Sequence, residues 1–306
     1  MNNSAVTLHN HSCEAMPELA DGTVDLIVTS PPYWVRPDDA LLAPALLRDK
    51  EQGTPTDYDE LLALLSRCFA ECYRVLKPGG VACVNVASTI VKERFYPLPY
   101  HLVPVLEKLG FVMKESIIWR RWRGWDHRGG VLIQNPYPGY FRPNRVHEYV
   151  LVFEKPGPPI YRDRSQEERE ASRIAVDALL FHEISNDTWN ILPVQPLQRT
   201  KTVEGFRHPC PFPEELAYRL ITLYSYIGDQ VLDPFTGSGT TAKVAHLTDR
   251  RFVGYEVNPA FRALAQERAK QPNLARQKKV ARFVEVEEML RSRAQIIKRA
   301  SVSPKK

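Results

Sequence analysis

The segment Asp233-Pro234-Phe235-Thr236-Gly237-Ser238-Gly239-Thr240-Thr241 constrains this chain more than any other. It follows a short apolar run, 230–233, that reads as a buried strand. Pro234 has no backbone N–H to continue a sheet ladder, so the chain must leave the sheet there. Two glycines separated by one residue allow a tight turn whose N–H groups approach a ligand closely. The threonines then open a helical pattern. Strand, acid, glycine turn and helix together form the architecture of a nucleotide-type cofactor loop. A lone Gly-x-Gly is weak evidence, and the combination after a strand is much stronger. No Gly-Lys-Ser/Thr occurs, which argues against a loop that cradles ATP phosphates. The next apolar run ends in Gly254-Tyr255-Glu256-Val257-Asn258. Glu256 follows Asp233 by 23 residues, near the roughly 20 expected of an acid that accepts ribose hydroxyls. The plainer reading is a structural turn beside a surface glutamate.

Elsewhere the periodicity alternates between strand and helix. Residues 24–28 read as a buried strand that runs into Thr29-Ser30-Pro31-Pro32-Tyr33, where two prolines again force the chain out of the sheet. Thr56 and Asp57 can cap a helix over about 58–76, which Lys77-Pro78-Gly79-Gly80 stops before a strand at 81–86. A helix at about 98–109 and strands at 112–119 and 147–154 follow. Residues 213–226 predict another helix, with Pro213 in its first turn. Strand 230–233, a helix to about 247, strand 252–256 and a helix at 260–269 complete the pattern. Such alternation favours a parallel sheet with crossover helices. The chain reads as a single α/β domain over 1–270, with inserted segments at 35–57, 120–146 and 156–200, and a basic tail at 271–306.

The charge distribution suggests a partner. The net charge is +5, yet residues 268–306 hold twelve Lys and Arg against three Glu. A second basic zone carries Arg120, Arg121, Arg123, Arg128, Arg142 and Arg145, interleaved with Trp119, Trp122, Trp125, Tyr137, Tyr140 and Phe141. Arginine mixed with aromatics suits a polyanion with exposed bases; a solvated surface is the bland alternative. No apolar run nears the ~18 residues of a membrane span, and no secretory leader is visible. Five scattered cysteines do not read as a disulfide framework. A reducing cytoplasm is therefore the expected compartment. Cys68 and Cys72 are expected to pack in a core. His9 and His11 have strand spacing, but without acidic or Cys partners beside them in sequence no metal site is expected.

Taken together, these motifs resemble the amino-directed DNA methyltransferases that use S-adenosyl-L-methionine. The likeness spans about residues 8–265. It includes Ser30-Pro31-Pro32-Tyr33, the 233–239 loop, Arg74–Gly80, His147–Lys155, His208–Pro213 and Val253–Pro259. With Ser-Pro-Pro-Tyr early and the cofactor loop late, the permuted order resembles the group called β.

The resemblance implies a Rossmann-like, doubly wound sheet of seven strands, mostly parallel with one reversed. The strands ending at Val28 and Asp233 would lie side by side. It also implies a cofactor site of Asp233, Pro234, Phe235, Thr236, Gly237, Ser238, Gly239, Thr240, Glu256, Val257 and Asn258, bordered by His208 and Pro209. Ser30, Pro31, Pro32 and Tyr33 would form the catalytic loop. There the Ser30 hydroxyl and Pro31 carbonyl accept the hydrogens of the target amine, and the Tyr33 ring stacks on the flipped base. Ser at position 30 resembles cytosine-N4 enzymes, and adenine-N6 is the alternative.

The implied partner is double-stranded DNA in a prokaryotic, nucleoid-associated setting, with a cognate restriction endonuclease and a homodimer left open. Two rivals are a catalytically idle DNA-binding module on the same fold and a methyltransferase for RNA or a small molecule. One departure concerns His9-Asn10-His11-Ser12-Cys13. Such enzymes often carry Gly-Asp here, and Asn10, Ser12 or the backbone would have to replace that carboxylate.

Overall fold

A computed structural model describes residues 5–34, 57–91, 93–121, 137–139, 143, 145–176, 179–194 and 213–274. The strands are β1 (Val6–His9), β2 (Val24–Thr29), β3 (Leu76–Val86), β4 (Thr89–Val91), β5 (Arg94–Tyr96), β6 (Val112–Arg120), β7 (His147–Glu154), β8 (Thr188–Asn190), β9 (Gln230–Asp233) and β10 (Arg251–Tyr255). The helices are α1 (Tyr58–Val75), α2 (Leu98–Lys108), α3 (Gln166–Ala171), α4 (Glu214–Tyr224), α5 (Thr240–Leu247) and α6 (Pro259–Ala269), with a π-helical turn at Leu180–Ile184. Among the described residues no helix is long and apolar enough to cross a membrane.

Eight of these strands form one sheet in the order β1-β10-β9-β2-β3-β7-β6-β8. β7 pairs antiparallel with both β3 and β6, and the other pairings are parallel. β2 and β9 are neighbours, as expected. The seven strands implied by the family likeness become eight because β8 extends the edge beside β6. At three residues, β8 is too short to show a period-two pattern.

Both faces of the sheet are covered, which explains the unbroken apolar strands. Alternate residues serve opposite layers. Ala82, Val84, Leu151, Phe153, Leu232 and Val253 pack with α1 and α2. Val81, Cys83, Val150, Val152, Val231 and Phe252 pack with α4 and α5. Cys13, Cys68 and Cys72 are buried in the first layer.

Asp57 caps α1, accepting from the Glu60 N–H at 2.7 Å. The helix ends at Val75, but the following Lys77-Pro78-Gly79-Gly80 does not precede the strand. It lies inside β3, where the register slips between Val24↔Leu76 and Leu26↔Val81. Gly79 has φ +75°, and a Cβ there would sit 1.9 Å from the Pro158 carbonyl oxygen. A positive-φ bulge against another backbone requires glycine.

Contact with Pro158 holds the start of the 156–176 stretch at the amino edge of the sheet. There Arg164 pairs with buried Asp229 at 2.5 Å and lies 3.6 Å from buried Asp25. Asp25 also accepts from Lys77 at 2.5 Å and from the Gln230 N–H at 2.9 Å. Burial, then the neighbouring Asp25, raises the Asp229 carboxyl above its usual range.

Candidate active site

The two motifs meet at the carboxyl edge of β2 and β9, through Asp233. This carboxylate is buried and accepts from the Thr29 hydroxyl at 2.6 Å, the Thr241 hydroxyl at 2.7 Å and the Phe235 N–H at 3.1 Å. Its carbonyl accepts from the Thr236 hydroxyl at 3.0 Å. Burial pushes its pKa up to about 6, against the opposing hydrogen bonds. Asp233 therefore works from beneath the loop. It ties the residue before Ser30 to both ends of the glycine turn.

The turn itself is closely packed. Gly239 has φ +81° and precedes α5. A Cβ on Gly254 would meet the Thr236 hydroxyl at 2.1 Å. Pro234, Thr236, Gly237, Ser238, Gly239 and Thr240 are buried, and Phe235 is half-buried beside Phe69. The Ser238 hydroxyl accepts from Arg268 at 3.1 Å. Arg268 and the buried Lys243 both pair with Glu214, at 2.8 and 3.1 Å, beneath the loop.

Glu256 caps this arrangement. One carboxylate oxygen accepts from the Gly237 N–H and the other from the Asn258 N–H, each at 2.8 Å. A fixed carboxylate acceptor beside a glycine turn fits a ribose diol, so these residues fit a nucleoside-type cofactor. Asn258 has a different duty. Its side chain caps α6, accepting from the Ala260 and Phe261 N–H groups, while Val257 is exposed.

In the His9–Cys13 segment, Asn10 donates to the Glu256 and Val257 carbonyls at 2.7 and 3.0 Å. Ser12 donates to Glu14. The fold also brings Glu18 to His9 and His11, at 3.4 and 2.8 Å. These three side chains have metal-ligand proximity, so the expectation that no acid lies near the histidines is corrected. Sequence adjacency did not reveal Glu18, because a turn carries it back to β1. His11 is bonded through one ring nitrogen to the Ser12 carbonyl and through the other to Glu18, which raises its pKa above the usual value.

The Ser-Pro-Pro-Tyr loop emerges from β2 into a polar cluster. The Ser30 hydroxyl donates to the Tyr33 phenol oxygen at 3.2 Å. The phenol donates to Glu148 Oε2 at 2.7 Å. Asn85 Nδ2 donates to the Tyr33 oxygen at 2.9 Å and to Glu148 Oε2 at 2.8 Å. Arg121 pairs with Glu148 Oε1 at 2.9 Å. Pro31 is buried and Pro32 exposed. Beside the loop, Trp34, Tyr58 and Tyr96 form an aromatic group with centroids 4.9–6.0 Å apart.

Sequence reasoning did not single out Glu148 and Asn85. The available signal was a polar residue inside each of two otherwise apolar strands, since such groups are rarely buried without a task.

Of the basic zone, Arg120 and Arg121 stand at the end of β6 and Arg145 just before β7, on the same edge as the site. Desolvation and the neighbouring Arg121 hold the Arg145 guanidinium below its usual range. Arg123, Arg128 and Arg142, together with His208 and Pro209, lie outside the described residues.

A doubly wound sheet with a glycine loop, a ribose-type acid and Ser-Pro-Pro-Tyr on one edge defines a cofactor-dependent group-transfer enzyme. The DNA methylase family of N6/N4 methyltransferases matches residues 24–267. The chain belongs to that family, and its cofactor is S-adenosyl-L-methionine.

The type II methyltransferase M.MthZI of Methanothermobacter thermautotrophicus is 34% identical over 271 residues, covering 83% of this chain and 73% of that one. M.MjaI of Methanocaldococcus jannaschii, also named a type II methyltransferase, is 30% identical, covering 83% and 87%. A Thermus thermophilus protein described as a putative DNA modification methylase, solved with S-adenosyl-L-methionine, is 31% identical. It superposes with a TM-score of 0.64, covering 87% of this chain and 94% of that one.

Proposed function

We propose that this protein methylates the N4 amine of cytosine at a specific site in double-stranded DNA, within a restriction-modification system. The observation that carries the reading is the Asp233 bridge. Thr29, the residue before Ser30, donates to the acid that opens the glycine turn, which supports a reading in which methyl donor and target amine meet at one edge. The bound cofactor supplies an electrophilic sulfonium methyl.

The protein must localise the amine lone pair, which is otherwise conjugated with the ring. Ser30, whose hydrogen points to Tyr33, presents its lone pairs to an amine hydrogen. Fixed φ at Pro31 and Pro32 orients the adjoining carbonyl in advance. With its hydroxyl anchored, the Tyr33 ring offers a base a stacking surface worth about 1–3 kcal/mol. Ser at position 30 favours cytosine. The Arg120, Arg121 and Arg145 group would contact phosphate, and the inserted segments 35–57, 120–146 and 156–200 are the candidates for base reading. Names of relatives as type II methyltransferases support the restriction-modification setting.

Labelled methyl transfer to duplex DNA, RNA and free nucleosides, compared side by side, tests the substrate. Detection of methylated bases in DNA from expressing cells tests the base and the site. N4-methylcytosine at one motif is expected, and N6-methyladenine would replace cytosine with the alternative. Ser30→Ala should bind cofactor normally yet transfer methyl groups roughly a hundred- to thousandfold more slowly. Wild-type turnover in that variant would remove residues 29–33 from the chemistry.

A further inference from the structure

We propose that Ser30, Tyr33 and Glu148 form a directional proton relay that carries the proton lost by the target amine out of the site. The inference deepens the methyl-transfer reading above and rests on it.

Hydrogen-bond polarity is the basis. Ser30 donates to Tyr33 at 3.2 Å, and Tyr33 donates to Glu148 Oε2 at 2.7 Å. Each hydroxyl therefore donates along the chain toward Glu148; the alternative contacts, Tyr33 to the Asn85 carbonyl and Asn85 Nδ2 to Ser30 Oγ, are both longer at 3.5 Å. The Asn85 amide donates to both Tyr33 and Glu148, which fixes the phenol in that polarity. Glu148 ends the chain. Its side chain is 7% exposed, and its other oxygen meets Arg121, whose side chain is 33% exposed. Glu148 Oε2 accepts from Tyr33 and Asn85 and Oε1 pairs with Arg121, and the Arg121 side opens toward water.

In the chemical step the amine nitrogen forms a bond to the methyl carbon, and the carbon–sulfur bond breaks with its electron pair left on sulfur. The nitrogen then gives one proton to Ser30 Oγ, Ser30 passes its own to Tyr33, and Tyr33 passes its own to Glu148. The amine is left neutral and methylated, and the sulfur neutral. Both hydroxyls are restored and Glu148 is protonated; its proton is then released to water beside Arg121.

Among the described residues, the charged and titratable groups facing Glu148 are Tyr33 from the loop after β2 and Arg121 after β6, with Arg145 behind Arg121 at the entry to β7. β3 contributes only the neutral Asn85.

The test uses Glu148→Gln, Tyr33→Phe and the double variant in single-turnover methyl transfer at saturating cofactor and duplex, across the acidic range. The wild-type rate should fall on acidification. Each single variant should lose about a hundredfold and lack that acid limb, with calorimetric cofactor affinity unchanged. The double variant should be no slower than the slower single one. A second readout needs no activity: in ring-labelled protein without cofactor, the Tyr33 resonance should shift on acidification, and the shift should vanish in Glu148→Gln.

A Glu148→Gln enzyme that keeps the acid limb overturns the relay, whether its rate is normal or reduced, as does a Tyr33 resonance indifferent to acid. Either result leaves the methyltransferase reading standing. A wild-type protein that methylates no DNA overturns that reading, and the relay with it.

Discussion

Gly239→Ala is the substitution whose cost the structure defines best. Gly239 occupies the left-handed region, at φ +81° and ψ 30°, at the entry to α5. Any L residue there is strained by roughly 1–2 kcal/mol. A Cβ would also lie 2.6 Å from both the Cα and the Cβ of Ala265, and 3.1 Å from its carbonyl oxygen. Ala265 is fully buried on α6, so relief requires prising α6 from α5, and overpacking of this kind typically costs about 1–3 kcal/mol. The sum, roughly 2–5 kcal/mol, should appear as a lower urea midpoint at unchanged slope.

Gly228→Ala is the control. Its φ is +83°, and a Cβ there would have nothing within 4 Å, so it should carry the backbone strain alone. Adding Ala265→Gly to Gly239→Ala should restore only part of the loss, because the clash with the backbone of residue 265 and the strain remain. If Gly239→Ala were no less stable than Gly228→Ala, the close approach of α5 and α6 at the cofactor turn would be refuted.

Two further outcomes follow from the same edge of the sheet. Glu256→Ala should weaken S-adenosyl-L-methionine by about 1.5–3 kcal/mol, the worth of hydrogen bonds to a charged group. It also frees the Gly237 and Asn258 N–H groups, so calorimetry at wild-type affinity would place the ribose elsewhere. The His11 pKa is raised above its usual 6.5, first by the Ser12 carbonyl and then by Glu18. Its pairing should therefore add stability below about that value and lose it as pH rises through the raised one. His11→Ala should flatten this part of the melting-temperature profile, and an unchanged profile would exclude the pair.

The sequence by itself determined the strand–turn–helix at 230–247, the acid at the tip of the next strand and the double-proline exit after 24–28. Each is a local signal, because apolar runs, glycine, proline and capping residues act on backbone a few residues away. The covered sheet was also legible in the unbroken apolar strands.

Only the tertiary structure decided what spans the chain. Asp233 lies beneath its loop because Thr29, more than two hundred residues away in sequence, donates to it. Gly79 falls within a strand because its N–H pairs with the carbonyl of Lys155, far away in sequence. Glu18 reaches His9 and His11 through a turn. Glu148 and Asn85 read from sequence as polar interruptions of buried strands. Adjacent pairing of β3 and β7 makes them one cluster with Tyr33. Local pattern records which residues are buried, but a buried polar group's partner is set by strand order, which is fixed only when the whole sheet assembles.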